Sequence, residues 1–100
     1  KFDYGNLDYH FSAFIGILLT MSNRTQVVLK ELSTIPNVIE ASVISGKYNI
    51  FCKVRAKNTD DAKRIIYQID DIQDVMRTES MISMEEYLSD KNRLINAISV

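Results

Sequence analysis

A repeated strand-helix-strand pattern, offset by 34 residues, is the feature that most restricts what this sequence can fold into. The offset aligns Thr25, a helix-starting residue, with Thr59, and it aligns apolar positions of the first half with apolar positions of the second. These apolar pairs are Val28 with Ala62, Leu32 with Ile66, Ile35 with Ile69, and Val38 with Ile72. Two β-α-β halves in succession are typical of ferredoxin-like domains, whose four-stranded antiparallel sheet carries both helices on one face. The repeat therefore predicts an α+β fold of order βαββαβ.

Length and charge limit the function classes open to the chain. Its 100 residues, 46% of them hydrophobic, suffice for one domain with a single core. Twelve basic against thirteen acidic residues give a net charge of -1, which supplies no general attraction to nucleic acid or anionic lipid. The longest apolar run, Ala13 to Leu19, is too short to span a membrane. We expect weak DNA binding by these residues alone, no membrane span and, from the lone Cys52, a reduced cytoplasmic setting.

Apolar periodicity and turn residues predict the positions of the elements. The first half contains a strand buried on both faces over 11–21 and a three-turn helix over 24–35 that stops at Pro36. Two antiparallel strands follow over 38–45 and 48–56, joined by Gly46 and Lys47. The second half continues with a helix capped by Asn58 or Thr59, a strand over 72–84, and a polar tail with helical character over 85–95.

Alternation in the third strand predicts which residues face the core. Ile50, Cys52, Val54 and Ala56 point to one side, and Asn49, Phe51, Lys53 and Arg55 point to the other. The sheet face without helices is predicted to carry Phe14, Leu18, Phe51, Ile82 and Met84. An apolar patch of that size is usually covered, so we expect a dimer that packs sheet to sheet or edge to edge.

The sequence contains little that indicates catalysis. His10 is the only histidine, and no nucleophile stands at a fixed spacing from it. Cys52 is predicted to be a core residue, and the adjacent Glu85 and Glu86 diverge and are expected to be solvated. No glycine-rich phosphate loop or zinc-ligand spacing occurs, so no cofactor is indicated.

Two further groups of residues are candidate binding sites. The basic residues of the hairpin and second helix, Lys47, Lys53, Arg55, Lys57, Lys63 and Arg64, are expected to be solvated, with Asp60 pairing Arg64. An RNA-binding sheet would expose more than the single ring of Phe51. The hairpin from Ser45 to Asn49 is different, because Gly46 lets backbone amides approach a small ligand and Asn49 can hydrogen-bond it.

Three stretches carry a resemblance to a known family: AFIGILL from Ala13, ELSTIPNVIEASVISGKYNIFCKVRAKN from Glu31, and VMRTESMISMEEY from Val75. They resemble the effector-binding (RAM) domain of the Lrp/AsnC, or feast/famine, transcription regulators. The likeness covers nearly the whole chain and implies a sensing and oligomerisation domain, not an enzyme. It also implies a ferredoxin-like fold that dimerises through its sheets as a dimeric α+β barrel.

The same resemblance implies an effector site and partners. The site would hold an amino acid or related metabolite between subunits, at Val43, Gly46, Lys47, Tyr48, Asn49, Thr59, Ile82 and Ser83. Many relatives have Asp where Asn49 stands. Partners would be further copies, in dimers and then tetramers or octamers, with DNA bound through an upstream helix-turn-helix domain that these residues do not include. Residues 1–10 resemble the linker to that domain, 11–88 form the effector-binding domain and 89–100 a C-terminal tail.

Two other functions share the predicted fold. A dimeric α+β-barrel enzyme, such as a cofactor-poor monooxygenase, could use His10. A module that only assembles, without a ligand, would need the same open sheet face. Turnover of oxidisable aromatics and a metabolite thermal-shift screen would distinguish these from a sensor.

Overall fold

The computed structural model describes residues 8–99 and contains the sheet that the repeat predicts. Four antiparallel strands lie in the order β2-β3-β1-β4. The elements are β1 (Phe11–Leu19), α1 (Thr25–Leu32), β2 (Val38–Val43), β3 (Ile50–Ala56), α2 (Thr59–Asp70), β4 (Val75–Ile82) and a short α3 (Arg93–Ile98). The order βαββαβ is confirmed. The predicted linker over 1–10 lies, as far as residue 7, outside the described residues.

The core lies between one face of the sheet and the two longer helices. From α1 it receives Val28 and Leu32, and from α2 it receives Ala62, Ile65 and Ile69. The alternation predicted for β3 is confirmed, because its core-facing residues are at most 1% exposed: Ile50, Cys52, Val54 and Ala56. The same face of β1 contributes Ala13, Ile15, Ile17 and Leu19.

The helices are shorter or begin differently than predicted. Helix α1 ends at Leu32, because the hydroxyls of Ser33 and Thr34 bond to the carbonyls of Lys30 and Glu31 in a closing turn. Ile35 is nevertheless buried, beyond the helix end. The tail helix is α3, which begins eight residues later than the helical tail predicted from residue 85.

The second helix resolves two alternatives left by the sequence. Asn58 is its N-cap, since the Asn58 side chain accepts a hydrogen bond from the amide of Asp61 at 2.9 Å. The predicted Asp60–Arg64 pair is wrong; Arg64 pairs with Asp61 at 3.0 Å. Asp61 also accepts from the amide of Lys57 at 2.9 Å, which holds its carboxylate in place and lowers its pKa.

Strand ends also depart from the sequence prediction. Strand β1 stops at Leu19, where its register with β4 shifts, and a 3-10 turn over Ser22–Arg24 follows. Strand β4 begins only at Val75, because the chain turns before it through Asp74 at φ 77°. The connection between β2 and β3 runs from residue 44 to 49, so it is a six-residue loop and not a two-residue turn.

One sheet face carries no helix, and we call it the open face. Paired residues share a face, so the register assigns to it Phe14, Gly16, Leu18, Phe51, Lys53, Arg77, Glu79 and Met81. The rings of Phe14 and Phe51 stack there with centroids 5.8 Å apart. Ile82 was predicted on this face wrongly, because it pairs with buried Ala13 on the helix side. Met84 lies beyond β4 and is 91% exposed.

Candidate functional site

The predicted effector residues fall into two groups at opposite ends of the sheet. Val43 and the loop residues Gly46 to Asn49 lie where β3 begins. Thr59, Ile82 and Ser83 lie where β3 ends, because β1 pairs its first residue, Phe11, with Ala56. Ile50 and Ala56 are separated by about 20 Å at roughly 3.3 Å per residue. A single chain therefore brings the first group together but does not bring it to the second.

Gly46 lies in the left-handed region of backbone conformation, which favours glycine. Its φ is 110°, a region that L side chains rarely adopt. A β-carbon added at Gly46 would meet nothing within 4 Å. The tip of the loop is therefore open to approach by another molecule.

Asn49 is held by three hydrogen bonds to the sheet end. Its amide donates to the carbonyl of Ile17 at 2.9 Å, and its carbonyl accepts from the amide of Ile44 at 3.1 Å. Its side-chain Oδ1 accepts from the amide of Leu19 at 2.9 Å. Aspartate presents the same acceptor, so either residue at position 49 can make the side-chain contact. An effector contact by Asn49 stays a prediction.

Tyr48 joins the loop to a polar cleft on the open face. Its hydroxyl donates to Oε1 of Glu79 on β4, and Nζ of Lys47 lies 5.7 Å from its ring centroid. The cleft, of about 200 Å³, is lined by Lys47, Tyr48, Arg77, Thr78 and Glu79. It offers two cations and one carboxylate. Sequence reasoning missed Arg77 and Glu79.

One signal in the sequence could have indicated this cleft. Gly16 interrupts the apolar run from Ala13 to Leu19, and a glycine inside a strand often marks the close approach of another group. In the fold Gly16 pairs with Phe51 on one side and Glu79 on the other. The Tyr48 ring occupies the space that a side chain at position 16 would take.

Glu86 returns across the open face and pairs with β3. Its carboxylate lies 2.9 Å from Nζ of Lys53 and 3.7 Å from Nη2 of Arg55. The hydrogen bond from Lys53, with the charges of both bases, lowers the pKa of Glu86. The expectation that the two bases are solvated is therefore wrong, because the side chains of Lys53 and Arg55 are only 11% and 18% exposed, whereas Glu86 is 40% exposed as expected. Strand β1 lies between β4 and β3, so this pairing draws the chain after β4 over the sheet.

The remaining candidates form no catalytic arrangement within the described residues. His10 is exposed immediately before β1. Cys52 is buried, and burial raises its pKa to about 12, which fits the core role predicted for it. Over residues 8–99 no group of three His, Cys, Asp or Glu side chains could hold a metal ion. No helix in that range is long and apolar enough to cross a membrane.

Comparison with known proteins identifies a family. Residues 12–93 match the family described as Lrp/AsnC ligand binding domain. The regulatory protein AsnC of Haemophilus influenzae is 32% identical over 84 residues, which cover 83% of this chain and 56% of that protein. AsnC of Escherichia coli is 31% identical over 80 residues, covering 79% and 53%. The chain thus spans about half the length of these relatives.

Solved structures agree with the sequence match. The structure of E. coli AsnC superposes with a TM-score of 0.85 at 27% identity, over 91% of this chain and 62% of that one. A feast or famine regulatory protein from M. tuberculosis, complexed with L-methionine, superposes with a TM-score of 0.79 at 20% identity, over 91% and 61%. The match over 12–93, the AsnC relatives and the common fold show that this chain is an effector-binding domain of the Lrp/AsnC family of transcription regulators, not an enzyme.

Proposed function

We propose that the domain senses an amino acid or related metabolite at a contact between subunits, and that it assembles its regulator into dimers and larger oligomers. The observation that carries the proposal is the separation of the two groups of predicted site residues. About 20 Å of β3 lies between them, which is far more than one amino acid can bridge. A neighbouring subunit that presents Thr59, Ile82 and Ser83 to the loop at Gly46 would complete one site.

The class of effector is argued from the relative and from the cleft. The M. tuberculosis regulator carries L-methionine, and at 20% identity it supports an amino acid here only as a proposal. Close to the loop, Lys47 and Arg77 offer cations and Glu79 offers a carboxylate. Groups of both signs suit a zwitterion, whose carboxylate and ammonium each need an opposite charge.

The open face supports assembly. Phe14, Leu18 and Phe51 are half-buried there, and Met81 is 41% exposed. A second copy that covers this face would remove apolar area from water, at roughly 25 cal/mol per Å². We propose a dimer formed through this face and, from the family resemblance, tetramers or octamers built from dimers.

DNA binding is proposed for the rest of a longer regulator. The relatives are named regulatory proteins, and this domain matches about half of their length. The near-neutral charge of this chain gives it no strong electrostatic attraction to phosphates. We propose a cytoplasmic regulator in which this domain senses and assembles while another region binds DNA.

The test combines oligomeric state with effector binding. Light scattering on the wild-type chain at micromolar concentration should give a dimer or larger, and calorimetry with the twenty amino acids should identify a ligand. Gly46→Val should abolish binding while the circular dichroism spectrum is unchanged. Gly46→Ala is the matched control, because it strains the same φ with far less bulk at the loop tip. A monomer, or unchanged binding by Gly46→Val, would overturn the proposal.

A further inference from the structure

We propose that Tyr48 is the positioning residue of the effector loop, and that it couples the loop to the open face through Glu79. The part that concerns effector binding rests on the proposed function. The part that concerns the loop's attachment rests on contacts within one chain. Tyr48 and Glu79 lie 31 positions apart in the sequence, and nothing in the local pattern pairs them.

The first observation is the fit of the Tyr48 ring against β1. A β-carbon at Gly16 would lie 2.8 Å from Cδ2 and 2.9 Å from Cγ of Tyr48. Real β-carbons essentially never come that close, so the ring can lie against the strand only because residue 16 is glycine. Gly16 itself is buried in the middle of β1. A glycine weakens a strand interior, and here it leaves the space that the Tyr48 ring occupies.

The second observation is the polar end of the same side chain. The Tyr48 hydroxyl donates to Glu79, so the side chain extends from the loop across β1 to β4. Its neighbour Asn49 is bonded to β1 through the amide of Leu19. Two consecutive loop residues are thus attached to the sheet, while Gly46 and Lys47 remain exposed at the tip.

The consequence for binding is preorganisation. A loop that is already held loses less conformational freedom when it closes on a ligand, and affinity rises accordingly. Glu79 belongs to the open face, which a partner subunit would cover in the proposed dimer. Covering that face lowers the local dielectric and strengthens the hydrogen bond from Tyr48. Effector affinity and assembly are then linked, and linkage is reciprocal.

The attachment can be tested without any effector. Gly16→Ala should lower the urea midpoint in the wild-type background, because the new β-carbon displaces the Tyr48 ring. In a Tyr48→Ala background Gly16→Ala should leave the urea midpoint unchanged, because the ring is gone. If Gly16→Ala lowers the urea midpoint equally in both backgrounds, the proposed attachment of the Tyr48 ring to β1 is overturned.

Hydrogen exchange tests the hydrogen bond that the Tyr48 hydroxyl donates to Glu79. The amides of Ile44 and Asn49, both hydrogen-bonded in the loop, should exchange about tenfold faster in Tyr48→Phe, the change expected for roughly 1.4 kcal/mol lost with a hydrogen bond to a charged group. Glu79→Leu should match Tyr48→Phe, and Glu79→Gln should retain part of the protection because it still accepts. Tyr67→Phe, on the exposed side of α2, is the control. Unchanged exchange in Tyr48→Phe would refute the role of the hydroxyl.

Binding measurements test the positioning role. Calorimetry with the twenty amino acids should show affinity reduced several-fold in Tyr48→Phe with an unchanged circular dichroism spectrum. The effector found should tighten the wild-type dimer and leave the Tyr48→Phe dimer unaffected. Equal affinity in both proteins would overturn the positioning role. If the wild type binds none of the twenty, the proposed amino-acid effector is overturned, while the exchange rates still decide whether Tyr48 holds the loop.

Discussion

A mixture of two disabled variants should regain binding if the effector site is shared between subunits. Gly46→Val disables the loop end of the sheet. Thr59→Trp blocks the opposite end, where Thr59 is exposed and a large ring can be accommodated without disturbing the core. Each variant alone should bind no effector. Both keep their core residues, so both should fold and assemble.

The expected recovery follows from how such a site is composed. Each site takes its loop from one chain and its Thr59 from a neighbour, because about 20 Å of strand separates the two within a chain. In a randomly mixed one-to-one assembly, half of the loops and half of the neighbouring ends are intact. About one quarter of the sites then combine both, which is the recovery expected for an interface between copies.

The assay is the stoichiometry of effector binding in calorimetry, after the variants have been unfolded together in urea and refolded. Gln68→Trp is the control for Thr59→Trp, since it adds the same ring at an exposed position on the same helix. It should bind as the wild type does. A site contained in one chain would give no recovery on mixing. That result, or normal binding by Thr59→Trp alone, would refute the shared site.

Three further predictions concern the fold itself. Ile65→Ala should lower the free energy of unfolding by about 2–5 kcal/mol in urea titrations, because Ile65 is fully buried; a loss below 1 kcal/mol would contradict its place in the core. Glu86 has a lowered pKa, so its stabilisation is present above its unfolded pKa and is lost as pH falls through the folded pKa. The stability difference between wild type and Glu86→Gln should thus be largest near neutral pH and vanish in acid. A difference that grows in acid would show that folding raises the pKa of Glu86 instead of lowering it. Cys52, with a pKa raised to about 12, should react with iodoacetamide at pH 8 only after denaturant is added; rapid labelling of the native protein would show that the thiol is accessible.

The fold could be predicted from the spacing of apolar residues along the chain and from the 34-residue repeat. Alternation in β3 identified its buried residues, and the repeat identified the element order. The two helices were found because apolar residues recur at helical spacing. Boundaries were less accurate, since the end of α1 depends on the hydroxyls of Ser33 and Thr34 bonding back to the helix carbonyls.

The candidate site was only partly predictable. The sequence indicated Gly46 as the point where a ligand could approach the loop, and the structure leaves this glycine exposed with a φ of 110°. Tyr48 was included only through the family resemblance, and its partners Gly16 and Glu79 were missed. Glu86 is exposed as expected, but its ion pair with Lys53 across the open face was not predicted.

By itself, the sequence determined the order of the elements and the core-facing side of β3, because both depend on residue type and spacing. Its resemblance to known sequences over nearly the whole chain indicated the family. Only the tertiary structure decided that the predicted site residues lie at two ends of one sheet, that Ile82 faces the helices, and that Tyr48 crosses β1 to Glu79. These facts depend on strand register, which is set where residues far apart in the chain pair. A shift of one residue would exchange the two faces of a strand, and local spacing within that strand would look the same in either register.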